Sequence, residues 1–208
     1  MLKDHNKCLN GKIDESRVAN KAKNVNYHKV AVIDLETTGL KPIRDLILEI
    51  GIIELNLVNG EIKVIFESFV KEPKFGEAHR KSWIFNNSDI IFEDIENAPS
   101  LGFFKTIINS IFNKYPLTAF NKSFDFGFLK ARGFSIQKEL PCIMRSATNV
   151  CRVSFPNGRK GYKFPTCQEA WDFFFPNINC VEKHRAADDA ILEAKILFEL
   201  YSRGQFPI

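Results

Sequence analysis

An α/β architecture, a mixed sheet covered on its faces by helices, is what the order of patterns in this 208-residue chain predicts. Three observations carry it: β-branched runs crowd the front half, helical spacing dominates the rest, and one short apolar run sits between two helices. KVAVIDL (29–35) is apolar and closes on ThrThrGly, as a central strand entering a turn does. LILEIGIIELNLV (46–58) and EIKVIFESFV (61–70) flank Asn59 and Gly60 and read as the two strands of a hairpin. From Pro73 to Pro99 the pattern is irregular and suits short helices. Residues 100–114 have amphipathic spacing behind Ser100 in the cap position. PLTAF (116–120) reads as a fourth strand, and helices follow at 121–132, stopped by Gly133, at 166–175 and at 184–203.

Composition narrows the function classes. Hydrophobic residues at 45% and charged residues at 26% are ordinary globular values, and no stretch approaches the roughly 20 apolar residues that cross a bilayer. Residues 1–27 are expected to form a basic, disordered tail and residues 28–208 a single domain. The tail lacks a signal-peptide core, so the expected address is cytoplasmic. Five cysteines (Cys8, Cys142, Cys151, Cys167 and Cys180) without a CxxC pair predict reduced thiols rather than a disulfide framework or zinc knuckle. Of the net charge of +4, residues 1–26 hold six cations and three acids, leaving a nearly neutral body. Such a body does not by itself argue for strong phosphate binding.

The chemistry rests on acids. Strand side chains alternate with period two, so Asp34 and Glu36 project from one face at the end of a buried strand. Two anions side by side in such a place are costly unless a cation sits between them, and oxygen-only ligands suit Mg²⁺ or Mn²⁺. Taken alone, the pair is also compatible with two solvated acids at a turn. In NKSFDFGFL (121–129), Asn121 and Asp125 share a helical face, which equally suits a cap and a dipole partner. In HRAADDA (184–190) the helical wheel separates neighbours: Asp188 falls beside Lys195 and Glu199 on the solvated stripe, whereas Asp189 heads the apolar stripe of Leu192, Ile196 and Leu200. Asp189 is therefore expected to need a partner or metal. His184, just ahead of that helix, is a candidate general base.

With DLETTG at 34–39, NKSFD at 121–125 and HRAADD at 184–189, in that order, the chain resembles the DEDDh (DnaQ-like) family of 3′→5′ exonucleases from about Lys29 to Tyr201. The resemblance implies a ribonuclease H-like fold with a central mixed five-stranded sheet flanked by helices. It implies that Asp34, Glu36, Asp125 and Asp189 bind two divalent cations, Mg²⁺ or Mn²⁺, with His184 as general base. It also implies that Thr37, Thr38, Leu40, Asn121 and Phe124 grip the last nucleotide of a single-stranded or 3′-terminal DNA or RNA. A polymerase partner is compatible with the family, and both monomer and homodimer stay open. The competing expectation is a non-catalytic nucleic-acid-binding or polymerase-associated module of the same fold, but such modules usually lose a carboxylate and none is missing here. Phe120 where many relatives have histidine, and SWIFNNSDIIF in place of a short HisGlyIle pattern, are departures that bear on substrate contacts.

Overall fold

The structure is a computed structural model and describes residues 27–208, so the expected tail falls almost wholly outside the described residues. The strands are β1 (Lys29–Thr37), β2 (Ile47–Asn56), β3 (Ile62–Phe69) and β4 (Leu117–Thr118). They lie in the order β3, β2, β1, β4, with β1 antiparallel to β2, β2 antiparallel to β3, and β1 parallel to β4. Among the described residues there are seven α-helices: α1 (Ile84–Asn87), α2 (Phe92–Glu96), α3 (Leu101–Lys114), α4 (Lys122–Ala131), α5 (Ile143–Cys151), α6 (Cys167–Phe174) and α7 (Ala186–Ser202).

The sheet is mixed, as expected, but has four strands among the described residues rather than five. Beyond β4 the chain makes one parallel bridge, Leu117 with Glu139. The Leu117 amide donates to the Lys138 carbonyl and the Leu140 amide to the Leu117 carbonyl, each at 2.8 Å. The next bond toward this strand comes from the Ile143 amide to the Ala119 carbonyl at 3.3 Å, and Ile143 already begins helix α5, so the chain turns into a helix instead of extending a fifth strand. Helix α5 was not expected: its sequence, IMRSATNVC, mixes weak helix formers. Burial of Ile143 and Ala147 against the core holds it instead.

Alternation along β1 explains how both faces are covered. Val30 and Val32, with Ile53 and Leu55, pack against Trp171 of α6 and Ile196, Leu197 and Leu200 of α7. Ala31, Ile33 and Leu35 face the other way, onto Ile108 and Phe112 of α3 and Phe126 and Phe128 of α4. A smaller apolar cluster of Leu46, Leu48, Phe75, Ile84, Phe92 and Ile95 anchors the irregular 73–99 segment. Helix α6 begins with a reciprocal cap: Thr166 Oγ1 accepts from the Glu169 amide at 3.1 Å, and Glu169 Oε2 accepts from the Thr166 amide at 2.8 Å. Ser100 occupies the N-cap of α3, yet its side chain makes no capping bond.

The wheel argument for α7 holds on one side and fails on the other. Asp189, Leu192, Ile196 and Leu200 are all buried, as expected of an interior stripe. Lys195 is buried too, with its ammonium 5.9 Å from the Trp171 ring centre, because α6 covers the flank expected to be solvated. Cys142, Cys151 and Cys167 are free thiols, whereas Cys180 is disulfide-bonded, against the expectation of reduced cysteines throughout. An odd count excludes complete pairing but not a single bridge. No helix among the described residues is long and apolar enough to cross a membrane.

Candidate active site

Asp34 and Glu36 close β1 on the face shared with Val30 and Val32, the face on which α7 lies. In the β1–β2 register Asp34 stands opposite Gly51 and Glu36 opposite Glu49. A Cβ on Gly51 would fall 2.3–2.4 Å from backbone atoms of Ala186 and Ala187. Only glycine therefore lets the start of α7 descend onto β2 beside Asp34. Glu49 fixes that descent from the side. Its carboxylate accepts from Arg185 Nη2 at 2.8 Å, Arg185 Nε at 3.1 Å and the Ala186 amide at 3.0 Å. Glu36 and Glu49 would repel as a cross-strand pair, and the arginine fork makes their proximity tolerable.

The turn before α7 carries the histidine. His184 has φ 54°, in the left-handed region that non-glycine residues seldom occupy. The amides on either side of it, Lys183 and Arg185, donate to Asp189 at 3.1 and 3.3 Å. Asp189 thus ties down the turn that presents His184, while Asp188 pairs outward with Lys183 Nζ at 2.9 Å. Ligand atoms of Glu36, His184 and Asp189 lie within 4.8 Å of one another. The His184 ring also meets Trp83 edge to face, with centroids 4.9 Å apart.

Asp125 arrives on the first turn of α4 and is almost fully buried. One of its oxygens, Oδ1, has no hydrogen-bond partner. Its neighbour Phe124 is half-buried against Phe128, ring centroids 4.9 Å apart. Asn121 occupies the N-cap, but its exposed side chain makes no capping bond. On the turn after β1, the Thr37 hydroxyl donates to the Gly39 carbonyl at 2.7 Å and the Thr38 hydroxyl accepts from the Leu46 amide at 2.9 Å. Leu40 projects from this turn, 80% exposed. Arg132, at the end of α4, donates to the Asp45 and Pro42 carbonyls and to Glu72, fastening the Leu40 loop to the helix that carries Asp125.

Electrostatics single out this corner. Burial, then the charges of Asp189, Glu49 and Asp125, push Glu36 up to about 9. Burial pushes Asp125 up to about 8, with the backbone amides of Asp125 and Leu35 opposing it in part. Asp189 is pushed up to about 6, again chiefly by burial. Asp34 is driven well above the carboxylate range by burial and by the charges of Glu193, Glu36, Asp125 and Asp189. Among the described residues, no ion pair involves Asp34, Glu36, Asp125 or Asp189. Carboxylates gathered without a cation, one with an unpartnered buried oxygen, fit a hard divalent ion that takes oxygen ligands.

Sequence reasoning did not single out Glu49, Gly51, Arg185, Arg132 or Glu193. Glu193 is buried one helical turn after Asp189 and accepts from the Phe120 amide at 3.2 Å. The signals were present: an acid and a glycine inside the apolar run LILEIGII, and an i, i+4 pair of acids on α7.

A mixed sheet with acids from three separate segments meeting at one end of its central strand defines a nuclease of the ribonuclease H-like kind. The chain matches the exonuclease family RNase_T over residues 31–197 and belongs to that family as an exonuclease. It is 28% identical over 189 residues to the DNA polymerase III subunit epsilon of Buchnera aphidicola subsp. Schizaphis graminum, covering 85% of this chain and 74% of that one. It is 26% identical over 181 residues to the DNA polymerase III PolC-type of Caldanaerobacter subterraneus subsp. tengcongensis, covering 84% of this chain but only 12% of that protein. In structure it resembles the nuclease domain of 3'hExo, a DEDDh family member, bound to rAMP, with a TM-score of 0.64 and 16% identity over 89% of this chain and 98% of that one.

Proposed function

We propose that this chain is a metal-dependent 3′→5′ exonuclease that hydrolyses the terminal phosphodiester bond of a nucleic-acid strand and releases nucleoside 5′-monophosphates. The observation that carries this reading is the convergence of buried carboxylates, uncompensated by any described cation, beside a histidine that shares their corner. Asp34, Glu36, Asp125 and Asp189 would hold two divalent cations, Mg²⁺ or Mn²⁺. Bound there, such ions supply charge neutralisation at the phosphate and acidify the attacking water.

The chain's own residues do the rest. His184 stands against Glu36 and Asp189 and takes the proton from the attacking water on a ring nitrogen. Glu49 and Arg185 hold the start of α7, so the imidazole keeps its orientation while the proton moves. Leu40, exposed on the turn after β1, wedges against the terminal base, and Phe124 closes on it from α4. Thr37 and Thr38 shape that turn through their hydroxyl bonds, and the uncapped Asn121 side chain is available to the sugar.

The relatives in DNA polymerase III favour DNA 3′ ends as substrate and a polymerase as partner. Digestion of a 5′-labelled single strand with Mg²⁺ tests the activity, and matched DNA and RNA strands test the substrate. The expected outcome is a ladder shortening from the 3′ end, faster on DNA, absent in Asp34→Ala protein and slowed about 10²–10⁴-fold in His184→Ala. Binding without product in either metal would leave the non-catalytic module as the reading instead.

A further inference from the structure

We propose that Trp83 is a positioning residue for His184, a side wall that holds the imidazole turned toward the acids. The inference rests on the reading of His184 as general base. Its starting point is an exposed indole with no structural need to be there: Trp83 is 58% exposed, while the other tryptophan, Trp171, is buried. A single exposed ring needs no explanation by itself, so the inference rests on what this indole touches.

The backbone beneath it is fixed. The Trp83 carbonyl accepts from the Asn86 amide at 3.1 Å and from Asn87 Nδ2 at 2.7 Å. The next residue, Ile84, plugs the apolar cluster with Leu48, Phe75 and Phe92. Trp83 therefore stands on an anchored stalk beside His184. From there its ring meets the imidazole edge to face, centroids 4.9 Å apart and planes at 79°.

His184 needs such a wall. Its φ of 54° is one a non-glycine residue leaves readily unless its surroundings hold it. Asp189 secures the backbone on either side through the amides of Lys183 and Arg185, but those bonds do not set the ring's rotation. A ring nitrogen of His184 lies within 4.8 Å of ligand oxygens of Glu36 and Asp189, and the Trp83 ring meets the same imidazole edge to face.

Steady-state kinetics on a 5′-labelled single strand with Mg²⁺ test this in five proteins: wild type, Trp83→Ala, Trp83→Phe, His184→Ala and the double variant Trp83→Ala/His184→Ala. Loss of the indole is expected to lower kcat about tenfold with KM nearly unchanged, the usual size for loss of an orienting partner. Phenylalanine should restore most of the rate. In the His184→Ala background, Trp83→Ala should cost nothing further, which a merely structural role would not produce. The indole emission gives a readout free of activity: the wild-type spectrum less that of Trp83→Phe isolates Trp83, and His184→Ala should alter it. Equal losses in both backgrounds, a Trp83→Ala enzyme as fast as wild type, or an emission indifferent to His184 would each overturn the inference while the nuclease reading stands. A wild-type protein without metal-dependent turnover would overturn both.

Discussion

Where β1 enters the sheet, Glu54 of β2 receives Lys29 Nζ at 2.7 Å and the Tyr115 hydroxyl. Burial alone would raise this carboxyl, but those two bonds bring it below its ordinary range. Where β1 leaves the sheet, Asp34 and Glu36 meet Asp125 and Asp189 with no such side-chain donors among the described residues; burial drives all four upward, and the neighbouring acids add to it at Asp34 and Glu36. The same two strands thus carry a finished ion pair at one end and an unfinished one at the other. Glu49 makes the contrast sharper, because it lies opposite Glu36 and is nonetheless completed by the Arg185 fork. The fold can neutralise a buried acid when stability is all that is required, whereas among the described residues no cation completes the quartet, as the proposed metal site requires.

The largest expected effect comes from making the unfinished end resemble the finished one. Asp125→Asn removes a buried charge whose Oδ1 lacks a partner. Turnover should fall to background, while the melting temperature of the metal-free protein at pH 8 rises rather than falls, as measured by scanning calorimetry. A drop in both would mean that Asp125 is a structural acid and would dissolve the contrast.

Next in size is the bridge between the two behaviours. Arg185→Met leaves Glu49 buried without its fork and loosens the turn that carries His184. Activity should drop about 10–100-fold, with a stability cost of up to about 3 kcal/mol in urea unfolding. If activity falls no more than stability explains, Arg185 serves the fold alone.

Proton linkage gives a third, smaller signal. The quartet's carboxyls sit higher in the folded chain than in the unfolded one, Glu36 at about 9 against 4.5. The unfolded state therefore releases protons first, and stability present at acid pH is lost as pH rises from about 4 toward 9. Glu54 contributes with the opposite sign, losing its stabilisation as pH falls through its lowered value. Metal-free protein should accordingly melt at progressively lower temperature between pH 6 and pH 9, and Mg²⁺ should restore more at the alkaline end. Equal restoration at both pH values would sever the link between the acids and the ion.

The smallest effect belongs to the finished end. Lys29→Ala removes an exposed ammonium, so turnover should stay at the wild-type value and thermal stability should shift little. A loss of activity there would show that the two ends are coupled through β1.

Much of this was legible in the residues because periodicity encodes it. Period two along KVAVIDLE put Asp34 and Glu36 on one face, and the wheel at 184–203 chose Asp189 over Asp188. Elements whose existence depends on neighbours were not legible: α5 forms because Ile143 and Ala147 find a core, and the fifth strand fails because the chain beside β4 turns into that helix at Ile143. Lys195 was read as solvated because a wheel has no knowledge of α6 lying alongside.

Local pattern was enough to put Asp34 and Glu36 on one strand face and Asp189 on the interior stripe, since side-chain direction repeats with the backbone, whereas Asp125 and His184 stood out only through the family resemblance. That these acids would find no ion-pair partner among the described residues, and that Gly51, Glu49 and Arg185 would seat the start of α7 and the His184 turn, emerged only from the packed chain. Those outcomes depend on contacts between segments more than a hundred residues apart, and no spacing along the chain encodes which distant surfaces meet.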